Sequence, residues 1–481
     1  MIRNLEREEF VTILHTHLSP TAPIQSEEHL FGRSKQLQLI EQALCAPGRS
    51  IFVYGDRGVG KTSLAHTVAY SQQSANHEPV LLACSPHTTF AGLLTDTIAA
   101  LQGPKSSGLK TVQTAKLAYQ GIGVELSRSQ QNDSPSPHSF SDLNSIVSAL
   151  MQVISARQHE STVVVVDEFD RIASDEERSH FADFIKQIGD QRLPVRFVFC
   201  GVAESMQKLL GTHGSCYRYL EGIELRGLSY DARYEIIDAA AKAFNVVVGD
   251  RPRHRIAAIS DGFPHYVHRM CEHLFWQMFN DPLPCSTPTI DHYRQAVAES
   301  VLGIEQHLKV TYEKATMKNA SGYEEVLWAI ADHADLVRNT ESIYESYCGL
   351  FGEKDDSELT PVGMLGRVQE AESEQEFESA FEVDEGDDRP TLDRQTVVSR
   401  LSALKKDSCG RILMTTKKGW YQFRENIMRG YVRLRAEEQG YELALDYAAA
   451  STSADSTGWR QRGAKRRKMT TSASGWRKVK K

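Results

Sequence analysis

Residues 55–62 read Gly-Asp-Arg-Gly-Val-Gly-Lys-Thr and fit the phosphate-binding pattern G-x-x-x-x-G-K-[ST] without a mismatch. Each residue type has a chemical reason. Glycines let backbone N–H groups turn inward around phosphate oxygens, and a following helix adds the partial positive charge of its N-terminus. Lys61 is expected to reach the β- and γ-phosphates, and Thr62 to place its hydroxyl on Mg²⁺. Gly55, Asp56, Arg57, Gly58, Val59, Gly60 and Ser63 complete the candidate cradle for a nucleoside triphosphate. A second cluster of chemistry stands at Asp167 and Glu168, which end the apolar run Thr162-Val163-Val164-Val165-Val166. Asp167 suits the Mg²⁺ shell and Glu168 suits orientation of an attacking water. The alternative for this pair is a solvated strand end.

These groups need elements that position them. Ile51-Phe52-Val53-Tyr54 predicts a strand before the loop, and Ser63 to Ala69 predicts a helix after it, the context the motif requires. The β-branched run at 162–166 reads as a central strand of a parallel sheet, whose C-terminal edge is where open α/β sheets hold ligands. Further strands are expected at 79–83, 195–200 and 222–225, with helices at 90–101 and 141–157. Five strands alternating with helices imply an α/β parallel sheet. The Ser-, Gln- and Gly-rich segment 105–138 reads as a surface insertion.

From Ser229 to about Thr316 the pattern is helical, broken by Gly262-Phe263-Pro264, and implies an all-α lid. Helices are then expected over 323–331, 341–350 and 391–406. A hairpin follows, Arg411 to Thr415 and Gly419 to Phe423, turning at Lys417-Lys418-Gly419. That order, closed by a helix over 424–448, is winged-helix order. The expected layout is a lead segment at 1–29, a core at 30–228, the lid at 229–316 and a winged-helix domain at 317–448 with an acidic insertion at 353–390. A disordered basic tail at 449–481 follows.

Charge is unevenly spread. The chain has 481 residues and a formal net charge of −8, yet residues 460–481 hold ten Lys or Arg and no acid. The remainder carries 45 basic and 63 acidic residues, a net −18. Residues 370–388 alone carry ten acids and no base, a self-repelling stretch. Eight cysteines without a C-x-x-C pair read as reduced thiols. No apolar run approaches a membrane span, and Met1 to Glu9 lacks a signal-peptide core, so a cytoplasmic protein is expected.

With these motifs in place, the chain resembles AAA+ ATPases of the origin-recognition type and their archaeal and STAND relatives, over roughly residues 28–445. The resemblance implies ATP as nucleotide, slow or partner-stimulated hydrolysis, and a working oligomer. Leu30-Phe31-Gly32-Arg33 looks like the family's leading motif, which packs near adenine; Ser34 stands where Glu is frequent. Strand four ends Cys200-Gly201, without the polar residue the family uses to sense the γ-phosphate. Arg218 matches the place of an arginine finger offered to a neighbouring subunit; its alternative is a surface pair with Glu221. Gly262-Phe263-Pro264 resembles the motif that starts the second sensor helix. Pro264 is then expected near the base, with His265 in place of the usual Arg and Arg269 one turn on as a substitute.

The winged-helix order makes Arg394, Arg400, Lys405 and Lys406 candidates for a DNA groove, and Lys417 and Lys418 for phosphates. Protein contact is the alternative use. Lys465, Arg466, Arg467 and Lys468, with Trp459 and Trp476 in the same tail, suit phosphate neutralisation and base stacking; a solvated charge run or a docking tail fits as well. A structural nucleotide-binding scaffold with negligible turnover is opposed by Glu168, and two further functional readings follow. One is an ATPase that associates with DNA and loads or regulates a protein partner, as in replication, transposition or defence against mobile DNA. The other is a STAND-like switch that oligomerises on ATP binding and acts through protein partners.

Overall fold

A computed structural model describes residues 2–102, 143–157, 162–212, 218–317, 321–351 and 391–443. The expected insertion at 105–138, the acidic stretch at 370–388 and the basic tail lie outside the described residues. So do Lys465, Arg466, Arg467 and Lys468. Among the described residues no helix is long and apolar enough to cross a membrane. The chain divides into two compact units: residues 37–54 with 68–223, and residues 1–36, 55–67 and 224–481.

In chain order the helices and strands begin with α1 (Arg7–His17), α2 (Ser34–Leu44), β1 (Ser50–Gly55), α3 (Lys61–Gln72), β2 (Val80–Ala83), α4 (Phe90–Gln102) and α5 (Leu143–Ala156). Next come β3 (Thr162–Asp167), α6 (Asp175–Asp190), β4 (Val195–Gly201), α7 (Ala203–Thr212) and β5 (Leu220–Leu225). The sheet is parallel, in the order β2-β3-β4-β1-β5. Register is explicit across its centre: Val166 lies opposite Phe199 and Tyr54 opposite Gly201. The C-terminal ends of β1, β3 and β4 therefore share one edge. Val163 to Val166 are fully buried, as expected for a strand covered on both faces. Phe197 and Phe199 of the neighbouring β4 stack on each other, and Phe169 packs edge-on against Phe199 and Phe181. The sequence reading did not place α6. Its Ser174 side chain accepts from the Glu177 N–H, and Asp175, Glu176 and Glu177 fill its first turn, where acids complement the helix dipole.

The second unit continues with α8 (Tyr230–Ala243), α9 (Asp250–Ile259), α10 (Pro264–Asn280), α11 (Ile290–Leu302) and α12 (Gln306–Thr316). Pro264 opens α10, where a missing N–H costs nothing. Phe10 of α1 packs against Phe244, Trp276 and Phe279. Then follow α13 (Tyr323–Ala331), β6 (Arg338–Asn339), α14 (Thr340–Phe351), α15 (Arg394–Ala403), β7 (Leu413–Lys417), β8 (Trp420–Phe423) and α16 (Ile427–Glu438).

Strand β6 was not foreseen. It has two residues and makes an antiparallel three-stranded sheet in the order β6-β8-β7. The helix expected over 391–406 is shorter at both ends. Asp393 caps it, accepting from the Thr396 N–H at 2.7 Å, and a 3-10 turn at Asp407–Cys409 follows. Lys405 and Lys406 thus lie beyond the helix. The hairpin also turns one residue later than expected, because β7 runs to Lys417 and Gly419 supplies the positive φ of 77°. Trp328, fully buried, is covered by Phe351 and Tyr441.

Candidate nucleotide site

The phosphate loop leaves β1 at Gly55 and enters α3 at Lys61. Gly60 has φ 96°, a conformation that side chains resist. Lys61 Nζ donates to the carbonyls of Gly55 at 3.1 Å and Asp56 at 2.8 Å. Its ammonium is thereby held over the mouth of its own loop. Thr62 and Ser63 are half-buried at the start of α3. Ser63 Oγ accepts from the Ile24 N–H at 3.2 Å, and Thr67 Oγ1 donates to the Ile24 carbonyl at 3.3 Å. The lead segment is thus tied to the phosphate-loop helix. Asp56 and Arg57 are exposed and Val59 is buried.

Arg33 is buried and donates to the Val59 carbonyl at 2.9 Å; burial pulls its guanidinium down to about 10. Gly32, with φ 68°, admits no side chain: a Cβ there would come 2.3 Å from Ala232 Cβ. Phe31 beside it is half-buried. Pro264 lies near the loop, 3.8 Å from where a Cβ on Gly60 would stand. His265 Nδ1 donates to the Pro20 carbonyl at 2.8 Å, and its Nε2 accepts from Arg269 Nε at 3.3 Å. Both ring nitrogens are engaged, and burial lowers the imidazole's basicity. The Arg269 guanidinium lies against Gly303, where a Cβ would meet it at 2.2 Å.

The acidic strand end is described within the other unit. Asp167 and Glu168 are half-buried at the end of β3. Asp167 Oδ1 accepts from the Glu168 N–H at 2.8 Å, and Glu168 is left-handed at φ 54°. Such a conformation is uncommon outside glycine and is concentrated at functional sites. The Glu168 carboxylate is paired with Arg171 at 2.7 Å, a contact the sequence reading missed. Cys84 donates its N–H to the Asp167 carbonyl at 2.9 Å. Burial, reinforced by Asp167, Glu168 and Asp170, pushes its thiol up to about 12, so it stays protonated. Cys200 is fully buried and Gly201 lies against Phe52. Arg218 is exposed; Glu221 pairs with Arg49 at 3.7 Å.

The C-terminal candidates divide. Arg394 meets the Glu341 carboxylate through Nε and Nη2 at 3.1 and 2.8 Å. Arg400 lies over the Tyr323 ring at 4.6 Å, Lys405 over Tyr421 at 5.5 Å and Lys417 over Trp420 at 3.9 Å. Lys406, Lys417 and Lys418 are exposed.

A separate trio, Asp281, Cys285 and His292, brings one donor atom from each within 4.8 Å. Its imidazole is already used. Nδ1 accepts from the Thr289 N–H at 3.0 Å and Nε2 donates to Asp281 at 2.6 Å. A metal on Nε2 would need an imidazolate, so this trio is a capping contact at the start of α11.

Residues 29–198 match the family described as AAA ATPase domain. No curated protein matches the chain. Among solved structures, a Walker-type ATPase of Pyrococcus abyssi is similar at 13% identity and TM-score 0.46, over 86% of this chain and 98% of that one. Cdc6p from Pyrobaculum aerophilum is similar at 14% identity and TM-score 0.40, over 89% and 98%. The Aeropyrum pernix ORC1 protein, in complex with DNA, is similar at 14% identity and TM-score 0.38, over 85% and 93%. At this level of similarity they assign neither a ligand nor a partner to this chain.

Proposed function

We propose that the chain is an Mg²⁺-dependent ATPase that binds DNA in its triphosphate state and loads or regulates a protein partner, working as an oligomer. The observation that carries this reading is the phosphate loop inside an AAA ATPase domain, with Lys61 already aimed across its mouth. Lys61 would bind the β- and γ-phosphates. The hydroxyl of Thr62 and the carboxylate of Asp167 are each an oxygen donor of the kind a hard cation takes; Mg²⁺, when bound, would neutralise charge on the phosphate oxygens. Glu168 would orient the attacking water once its carboxylate leaves Arg171. Phe31, Gly32 and Arg33 would line the base side with Pro264, and His265 would brace the lead segment rather than touch phosphate, since both its nitrogens are engaged. Arg218, exposed on its unit, is offered as the finger for a neighbouring copy.

The domain reading goes with this: an ATPase core at 30–228, a helical lid at 229–316 and a winged-helix module at 317–448. The DNA reading rests on the exposed cations Lys406, Lys417 and Lys418 around the hairpin, and on the basic tail. Arg394 contributes less, because the Glu341 carboxylate already pairs with it. A STAND-like switch is the second reading, favoured by the contact of Asn426 with the phosphate loop.

DNA-binding anisotropy of the Glu168→Gln protein, over a salt series in Mg-ATP and in Mg-ADP, tests the choice. Tighter binding in Mg-ATP supports the DNA-associated ATPase. Equal and steeply salt-dependent binding in both nucleotides leaves the tail acting alone and favours the switch.

A further inference from the structure

The N-terminal end of α16 touches the phosphate loop. Asn426 Nδ2 donates to Asp56 Oδ2 at 2.8 Å. The buried Ile427 side chain lies so close to Gly58 that a Cβ there would come 2.8 Å from its Cδ1, and 3.4 Å from Phe263 Cδ1. A side chain at position 58 would push the tip of Ile427 aside, and the φ of 84° there also favours glycine. The Ile427 carbonyl accepts from the Tyr266 hydroxyl at 3.0 Å. One turn on, Gly430 lies flat on the Tyr266 ring, where a Cβ would meet Cε2 at 2.6 Å.

The same helix is fastened more deeply by ions. Arg429 Nη2 and Arg433 Nη1 both reach Asp261 Oδ1, at 2.6 and 2.8 Å. Asp261 immediately precedes Gly262-Phe263-Pro264. The first turns of α16 are thus locked to the segment that packs on the loop. The residues at its very start, Asn426 and Ile427, rest on the loop itself through a hydrogen bond and an apolar side chain.

We propose that Asn426 and Ile427 form the closing wall of the nucleotide site, so that filling the phosphate loop and seating the C-terminal module are a single coupled equilibrium. This rests on the reading that residues 55–62 bind a triphosphate. In the structure Lys61 spends hydrogen bonds on the Gly55 and Asp56 carbonyls. Phosphate oxygens compete for the same ammonium. When Lys61 turns to them, the Asp56 peptide loses a donor and re-aims, which disturbs the Asp56 carboxylate held by Asn426. Linkage makes the effect reciprocal: whatever draws Asn426 and Ile427 off the loop changes nucleotide affinity by the same factor.

The test uses the full chain with Mg-ATP as the probe. Asn426→Ala is expected to tighten Mg-ATP binding by about three- to tenfold, the range of one such hydrogen bond. Asn426→Asp sets a carboxylate against Asp56 and is expected to tighten it at least as much. In the wild type, Mg-ATP is expected to speed amide hydrogen exchange over residues 424–433, and in Lys61→Ala it is expected to leave that exchange alone. Unchanged affinity in both Asn426 variants, together with unchanged exchange in the wild type, overturns the proposal while nucleotide binding stands. A wild type that binds no Mg-ATP overturns the reading of the loop as well, so the two failures are told apart.

Discussion

Around Lys61 the chain uses glycines, backbone carbonyls and half-buried polar groups, whereas around Asp261 it uses buried guanidinium–carboxylate pairs. Both regions lie in one unit and both touch the Gly262-Phe263-Pro264 segment. At the loop, the contacts of Lys61 with the Asp56 carbonyl and of Asn426 with the Asp56 carboxylate are exposed, so on the proposed reading phosphate would replace them at little cost. At the junction, Asp261, Arg429 and Arg433 are almost wholly enclosed. Burial alone would raise the Asp261 carboxyl, but Arg429 and Arg433 outweigh it and hold the group below the usual carboxylate range. Nearby, Arg255 is fastened to Glu437, whose Oε1 also accepts from the Tyr293 hydroxyl at 2.8 Å. Glu437 and Glu442 outweigh the burial of Arg255 and keep it charged. The difference teaches that this unit puts exchangeable polar contacts at the loop and enclosed ion pairs at the junction.

Removing a buried partner should break the junction first. Asp261→Ala leaves two enclosed guanidiniums without their carboxylate and is expected to cost about 3–5 kcal/mol, read from urea unfolding. A loss under about 1 kcal/mol would mean that water reaches the junction, and the contrast with the loop would fail.

A second lever on the contrast is pH. His268 is buried, its Nδ1 accepts from the Ser19 N–H at 3.4 Å, and its Nε2 has no partner among the described residues. Burial, then the neighbouring His265 and His29, pull its pKa down to about 4. The unfolded chain takes up the proton first as pH falls. This contribution is therefore intact above about pH 6.5 and is lost by about pH 4, roughly 3 kcal/mol in all. His268→Gln is expected to flatten the fall in stability over that window; an unchanged pH profile would move the proton uptake elsewhere.

Gly32→Ala probes the proposed base side of the site. Positive φ and the close approach of Ala232 predict a loss of about 1–3 kcal/mol, measured by thermal unfolding, with weaker Mg-ATP binding. The smallest effect is expected at the acidic strand end. The Glu168–Arg171 pair is more than a third exposed on both sides, so Arg171→Ala should change stability by no more than about 1 kcal/mol. A larger loss in the same unfolding assay would make Arg171 a structural residue and not a resting partner of Glu168.

What the sequence made legible follows the same division. The loop at 55–62, the run at 162–167 and the order of the five strands are local signals: glycine spacing, β-branched runs and turn residues. Asp261, Asn426, Arg429 and Arg433 carry no such signal. Their partners lie up to 370 residues away in the chain, and an arginine on an amphipathic helix looks the same whether it faces water or a buried carboxylate. Strand β6, at two residues, is too short to show a period, and α6 lies in a charged stretch whose apolar face emerges only once Phe181, Phe184 and Ile185 are seen in the core. The engagement of His265 by Pro20 and Arg269 was equally invisible, since the lead segment's path depends on the fold.

The most direct test is a calorimetric titration with Mg-ATP, paired with phosphate release, on the wild type, Lys61→Ala and Glu168→Gln. The account predicts binding and slow turnover in the wild type. It predicts binding weakened beyond detection in Lys61→Ala, and retained binding with turnover reduced by about a hundredfold or more in Glu168→Gln. Wild-type affinity in Lys61→Ala, or wild-type turnover in Glu168→Gln, would contradict it.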